Sequence, residues 1–94
     1  MYDADWSHRG DYIVKRHDVV PAEANEALLD PERIVIDPDY NSTSGRSARI
    51  IGFSQSADDL ITVIVLRDEG VTYGVNAWRS NARDRRIHEE GEMR

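Results

Sequence analysis

Residues 75–88 gather more chemistry than any other part of the chain. Val75-Asn76-Ala77-Trp78 reads as the end of a strand, Arg79-Ser80-Asn81 follows, and a helix then carries Arg83, Asp84, Arg85, Arg86 and His88. Guanidinium forks bind phosphate oxygens in pairs, amides hold single oxygens, an indole stacks on a base, and imidazoles move protons near neutral pH. Together they suit a phosphodiester. Arg79 stands where the strand gives way to the helix, held by rigid elements on both sides, so it is the first candidate for phosphate charge and Arg85 the second. Arg83 or Arg86 could add a further guanidinium, Trp78 offers a ring for stacking, and Asn76 or Asn81 offers an amide. His17 and His88, beside His8, are the candidate proton carriers, and Asp84 would orient an arginine or an imidazole.

Each of these residues has a plainer role open to it. His17 at a helix C-terminus can cap that end and pack on the core, and Trp78 can be an ordinary core aromatic. Asp84 and His88, spaced i to i+4, can form a local helix pair worth a few tenths of a kcal/mol. Arg83, Arg85 and Arg86 can form a solvated face. No metal site is expected: the histidines are scattered, cysteine is absent, and no pair has the helical spacing of a hydrolytic zinc site. Glycine-rich phosphate loops and serine nucleophile elbows are absent too, and no cofactor is implied.

The elements that must position these groups follow from periodicity. Residues 6–17 predict a first helix, with Trp6, Ile13 and His17 on one face and Ser7 near its start. After a connector at residues 18–20, Pro21 suits the first position of a second helix. Glu23 and Glu26 lie near its positive end, Ala24, Ala27 and Leu28 form its buried stripe, and Asp30-Pro31 ends it. Strands are predicted over residues 33–37 and 48–54, separated by an Asn41-Ser42-Thr43-Ser44-Gly45 loop expected to be the most mobile segment. The apolar run at residues 60–66 predicts a central strand buried on both faces. Asp68-Glu69-Gly70 makes a hairpin turn with Gly70 at positive φ, and residues 71–78 return antiparallel. In that strand Val71, Tyr73, Val75 and Ala77 would share one face, and Thr72, Gly74, Asn76 and Trp78 the other. Residues 81–90 have only Ala82 and Ile87 as apolar residues, so the last helix is expected on the surface, followed by a flexible tail over residues 89–94. The expected fold is α+β, with two N-terminal helices, an antiparallel sheet of three to four strands and a C-terminal helix, all in one domain spanning residues 1–94.

With 94 residues and 39% hydrophobic content, one core is affordable and two are not. The absence of cysteine fits a reducing compartment. No run approaches membrane-spanning length, and the start has neither the basic nor the apolar region of a signal peptide, so a cytoplasmic location is expected. The formal net charge of -6 runs against nucleic-acid binding, but its distribution is uneven. Residues 23–39 carry six carboxylates and one arginine, whereas residues 79–86 carry four arginines and one carboxylate. Lys15 is the only lysine; arginine suits bidentate phosphate contacts, though GC-rich coding explains the bias equally well.

Taken in order, Trp6, Arg16-His17-Asp18-Val19, Ala24, Asp30-Pro31, Gly52-Phe53-Ser54, Ala77-Trp78-Arg79 and Asp84-Arg85-Arg86-Ile87-His88 resemble the BrnT toxins of bacterial type II toxin–antitoxin modules, which share a RelE-like ribonuclease fold. That family shows a tryptophan, a lysine-histidine-glycine-valine turn, an alanine seven residues after the histidine and a closing aspartate-proline; here the spacing from His17 onward is intact. An arginine ahead of the glycine-x-serine is matched by Arg46 or Arg49. Arg16 replaces lysine, Asp18 replaces glycine, Trp78 stands between the alanine and the arginine, the last spacing is one residue short, and His88 replaces a tyrosine. The resemblance implies a metal-independent endoribonuclease that inhibits translation, with His17, Arg79, Arg85 and His88 catalytic and Arg16, Asn76, Trp78, Asn81, Arg83 and Arg86 binding RNA. It also implies a cognate, DNA-binding ribbon-helix-helix antitoxin held in a hetero-oligomer. The alternative is a catalytically inactive module on the same scaffold that binds nucleic acid or protein, its acidic side docking a basic partner.

Overall fold

In the computed structural model, which describes residues 3–91, the apolar run forms the interior of the sheet. The elements are α1 (Gly10–His17), α2 (Pro21–Leu29), β1 (Ile34–Ile36), β2 (Ser47–Ser54), β3 (Asp59–Asp68), β4 (Val71–Arg79) and α3 (Ala82–Glu90). The fold is α+β: three helices and a four-stranded antiparallel sheet in the order β1-β2-β3-β4. Residues 61–65 of β3 are buried in an unbroken run, as a strand covered on both faces must be. The β3–β4 turn is a two-residue connection with φ of 49° at Glu69 and 83° at Gly70, the left-handed pair whose twist matches a hairpin.

On one face of the sheet, α1 and α2 bring Ile13, Ala24, Ala27 and Leu28 onto Ala48, Ile50, Ile61, Val63, Val65 and Ala77. Pro21 opens α2, and the Glu23 carboxylate accepts the Val20 amide at 3.1 Å, satisfying an N–H that the helix leaves unpaired. Backbone approach here is close enough to demand glycine. A Cβ on Gly52 would collide with the Ala27 carbonyl of α2, and one on Gly74 would collide with the Trp6 ring.

The opposite face is covered on one half only. Ile87 of α3 packs with Ile34, Ile36, Ile51 and Tyr40 over the β1–β2 side. Over β4, Tyr73, Asn76 and Trp78 remain half-buried, whereas Thr62 and Ile64 of β3 beside them are buried.

Four expectations are corrected. The first helix begins at Gly10, not Trp6: the Trp6 carbonyl accepts Gly10 N in a turn, which leaves the indole free to lie on Gly74. Ser7 therefore does not cap it, and His17 shares no helical face with Trp6. The strict alternation in β4 is broken by a bulge, because Ile64 pairs with Asn76 while Val65 pairs with Gly74, leaving Val75 extra. Tyr73 consequently joins Asn76 and Trp78 on the half-open face, and Gly74 joins Ala77; Arg9 Nε donates to the Val75 carbonyl at 3.0 Å. The last helix is anchored, since Ile87 and Asp84 are both buried. Glu89 and Glu90 belong to it, and the remainder of the expected tail, past Gly91, lies outside the described residues. No helix among the described residues is long and apolar enough to cross a membrane.

Candidate functional site

The side chains singled out by their chemistry fall into three separate groups. The first surrounds Asp59 at the start of β3. Arg85 makes two bonds to its carboxylate, Nη1–Oδ1 at 2.8 Å and Nη2–Oδ2 at 3.3 Å, and Arg79 Nη1 reaches Oδ2 at 3.2 Å and the Ala57 carbonyl at 3.3 Å. The Arg85 pair, opposed by partial burial and assisted by the Leu60 amide and Arg79, brings the Asp59 carboxyl down to about 2. Both arginines therefore already have an anionic partner, although their side chains are 44% and 43% exposed.

The second group isolates His88. Its Nε2 is buried at 3.5 Å from Asp30 Oδ2, beyond the C-terminus of α2. His17 instead ends α1, where its ring neighbours are Tyr12 and Trp78, both at 5.9 Å between centroids. The two histidines thus have different surroundings, one tied to α2 and the other to β4. Asp84 does not pair with His88, so the i to i+4 reading is also corrected.

The third group is a continuous chain of contacts across the sheet: His17, Trp78, Arg49, Tyr40 and Arg83. The Arg49 guanidinium lies 5.4 Å from the Trp78 ring centroid and 4.1 Å from that of Tyr40, and the Arg83 guanidinium lies 3.9 Å from the Tyr40 centroid. Asn76 shares the strand face with Trp78, its Oδ1 accepting the Ala77 amide at 3.0 Å. Arg16, Arg83 and Arg86 are exposed. Asn81 acts as the α3 cap, its Oδ1 accepting Asp84 N at 2.9 Å.

Arg49 holds this chain in place. Only 3% exposed, it donates from Nε to Asp39 at 2.6 Å and from Nη1 to Asp84 and to the Tyr40 hydroxyl, each at 2.7 Å. Asp84, fully buried, accepts further bonds from the Tyr40 hydroxyl at 2.6 Å and from Thr62 at 2.9 Å; the Thr62 and Ser80 hydroxyls lie 2.8 Å apart. Burial raises the Tyr40 hydroxyl's pKa, as does its bond to Asp84, so the phenol stays a donor. Burial opposes the charge on Arg49, and the bond to Asp39 and the Asp84 charge outweigh it. Charge is therefore locked beneath the rings and left open at Arg83.

His17 is the titratable member of the chain. Burial and then the Arg16 charge lower its pKa, leaving the imidazole neutral and able to accept a proton at neutral pH. The arrangement can stack a base on Trp78, draw a phosphate to Arg83, which lies on the Tyr40 ring, and take a proton at His17. Tyr40 and Asp39 carry no motif of their own, and Arg49 stands only beside Arg46 as a match for the arginine ahead of Gly52-Phe53-Ser54. A lone arginine in the apolar run Ala48-Arg49-Ile50-Ile51 was the available signal, because a charge inside a strand needs buried partners. Among the described residues no group of three or more histidine, aspartate or glutamate side chains could hold a metal ion. No protein-family model matches the chain, and no curated protein matches it significantly.

Proposed function

We propose that this protein is a metal-independent endoribonuclease of the toxin type, acting in the cytoplasm, with its RNA surface on the half-open sheet face around Trp78. The observation that carries the reading is the His17–Trp78–Arg49–Tyr40–Arg83 chain, which sets a neutral imidazole, two aromatic rings and an open guanidinium along one surface. Single-stranded RNA is bound by such sets: bases stack on the rings and the phosphates track the cations. In the reaction the ribose 2′-oxygen attacks phosphorus, its proton passes to His17, and the bond from phosphorus to the 5′-oxygen breaks. The products are a 2′,3′-cyclic phosphate and a 5′-hydroxyl whose proton comes from water. Arg83 and Arg16 offset the charge that grows on the phosphoryl oxygens. The resemblance to BrnT toxins supports the biological frame, a cognate ribbon-helix-helix antitoxin that holds the protein silent in a hetero-oligomer.

One observation favours a second reading, a binding module without cleavage: Arg79 and Arg85 already face Asp59, and His88 is held apart from His17. The two readings separate in a single assay, end-labelled single-stranded RNA incubated with purified protein in EDTA. The expected result is cleavage to cyclic-phosphate ends, reduced about 10²-fold or more by His17→Ala and retained by Arg79→Ala. Salt-dependent binding without cleavage would establish the module instead. Absence of both would remove RNA from the picture.

A further inference from the structure

Where the end of α2 meets the end of β2, Glu26, Leu29, Asp30, Pro31, Phe53 and Gln55 line a cavity of about 230 Å³. Its apolar wall includes two large side chains left in water, Leu29 at 49% and Phe53 at 40% exposure. Its polar wall is two carboxylates already fixed in place. Glu26 accepts Ser54 Oγ at 2.7 Å, Ser56 N at 2.9 Å and Ser56 Oγ at 2.6 Å. Asp30 accepts Glu32 N at 2.9 Å and Phe53 N at 2.8 Å. The Ser56 hydroxyl and amide hold the Glu26 carboxyl below the usual range. Partial burial opposes ionisation of Asp30, but the two amides and the neighbouring His88 outweigh it. Both are anions at neutral pH and lose little side-chain freedom when a cation arrives.

An apolar slot edged by fixed anions matches a side chain with an aliphatic stem and a cationic tip. A planar guanidinium can also lie on the Phe53 ring. The residues flanking the slot along the chain have the same sign, with Glu23, Glu26, Asp30 and Glu32 against Arg33. Nucleic acid and acidic peptides are repelled there. None of the cavity residues belongs to the Trp78 surface, so the slot and the RNA surface stand or fall separately.

We propose that this cavity docks an arginine side chain presented between apolar residues by a basic segment of a partner protein. The test is a titration of the ¹⁵N-labelled full chain with acetyl-Leu-Arg-Leu-amide beside acetyl-Leu-Gln-Leu-amide. The arginine peptide is expected to move the amide signals of Leu29, Asp30, Phe53 and Gln55 in a saturable way, and the glutamine peptide to leave them in place. Glu26→Gln, whose amide oxygen can still accept Ser54 Oγ and Ser56 N while its NH2 donates to Ser56 Oγ, is expected to weaken the response about two- to fivefold; Phe53→Ser, at an exposed position, is expected to weaken it without disturbing the rest of the spectrum. Equal responses to both peptides, shifts centred on Trp78, or no shifts would overturn the proposal. So would shifts that follow protein concentration without peptide, which would identify a second copy of the chain as the occupant.

Discussion

His17 and Asp59 set opposite pH behaviour at the level of single residues. The folded pKa of His17 lies below its ordinary 6.5, so between those values the unfolded chain binds more protons. Its contribution to stability is complete above 6.5 and declines as the pH falls toward the folded value. If His17 is the base, the acid limb of cleavage has its midpoint below pH 6.5. Arg16→Gln removes the second cause of the shift and should move both the limb and the imidazole's NMR titration to higher pH; a titration that moves while the limb stays would separate His17 from the reaction. Asp59 keeps its contribution above pH 3.8 and loses it toward about 2. Because its arginine partners are more than 40% exposed, water screens the pairs and the stability at stake is at most about 1 kcal/mol. The larger effect of Asp59→Asn is on charge: freeing Arg79 and Arg85 should tighten RNA binding and steepen its salt dependence by about one to two counterions. An unchanged slope would show that those arginines lie away from the RNA path.

Individual elements depend on contacts of very different range. Local signals placed α2, because Pro21, Glu23 and the Ala24–Ala27–Leu28 stripe lie within one helix, and they placed the β3–β4 turn, because Gly70 supplies a positive φ beside its strands. The start of α1 was not legible, since it depends on Trp6 reaching Gly74 near the other end of the chain. The β4 bulge was hidden for a similar reason: Val75 alternates well in isolation, and only pairing with β3 exposes the extra residue. Gly52 shows how tightly α2 is seated on the sheet. Gly52→Ala should cost about 1–3 kcal/mol by pushing the Ala27 turn off β2, read as a lower urea midpoint; an unchanged midpoint would mean that the helix yields freely.

Across the molecule, Arg49 joins residues that lie 10 and 35 positions away, Asp39 and Asp84, and so ties β2 to the loop before it and to α3. Arg49→Met would leave two buried carboxylates unpaired, at a cost of about 3–5 kcal/mol. Denaturation at pH 7 measures it, and a loss under 1 kcal/mol would show the network to be dispensable. This long reach explains which part of the site could be read in advance. Trp78, Asn76, Arg83 and His17 reveal themselves by type and are linked by contacts or a shared strand face, whereas the pairing of Arg79 with Asp59 comes from sheet register and that of Arg85 from the docking of α3, neither of which any spacing along the chain contains. The backbone bonds between Asp5 and β4 have a different outcome. Asp5 N donates to the Thr72 carbonyl and Gly74 N to the Asp5 carbonyl, both at 2.8 Å, while Arg9 occupies the carbonyl of Val75. At the other margin β1 offers only three residues. Neither margin gives a neighbouring molecule a long row of free amides and carbonyls to copy, which protects a crowded chain from fibril growth. Asp5→Pro deletes one of those donors, so warm solutions of that variant should gain thioflavin fluorescence sooner than the wild type; identical lag times would show that the margin is guarded by something else.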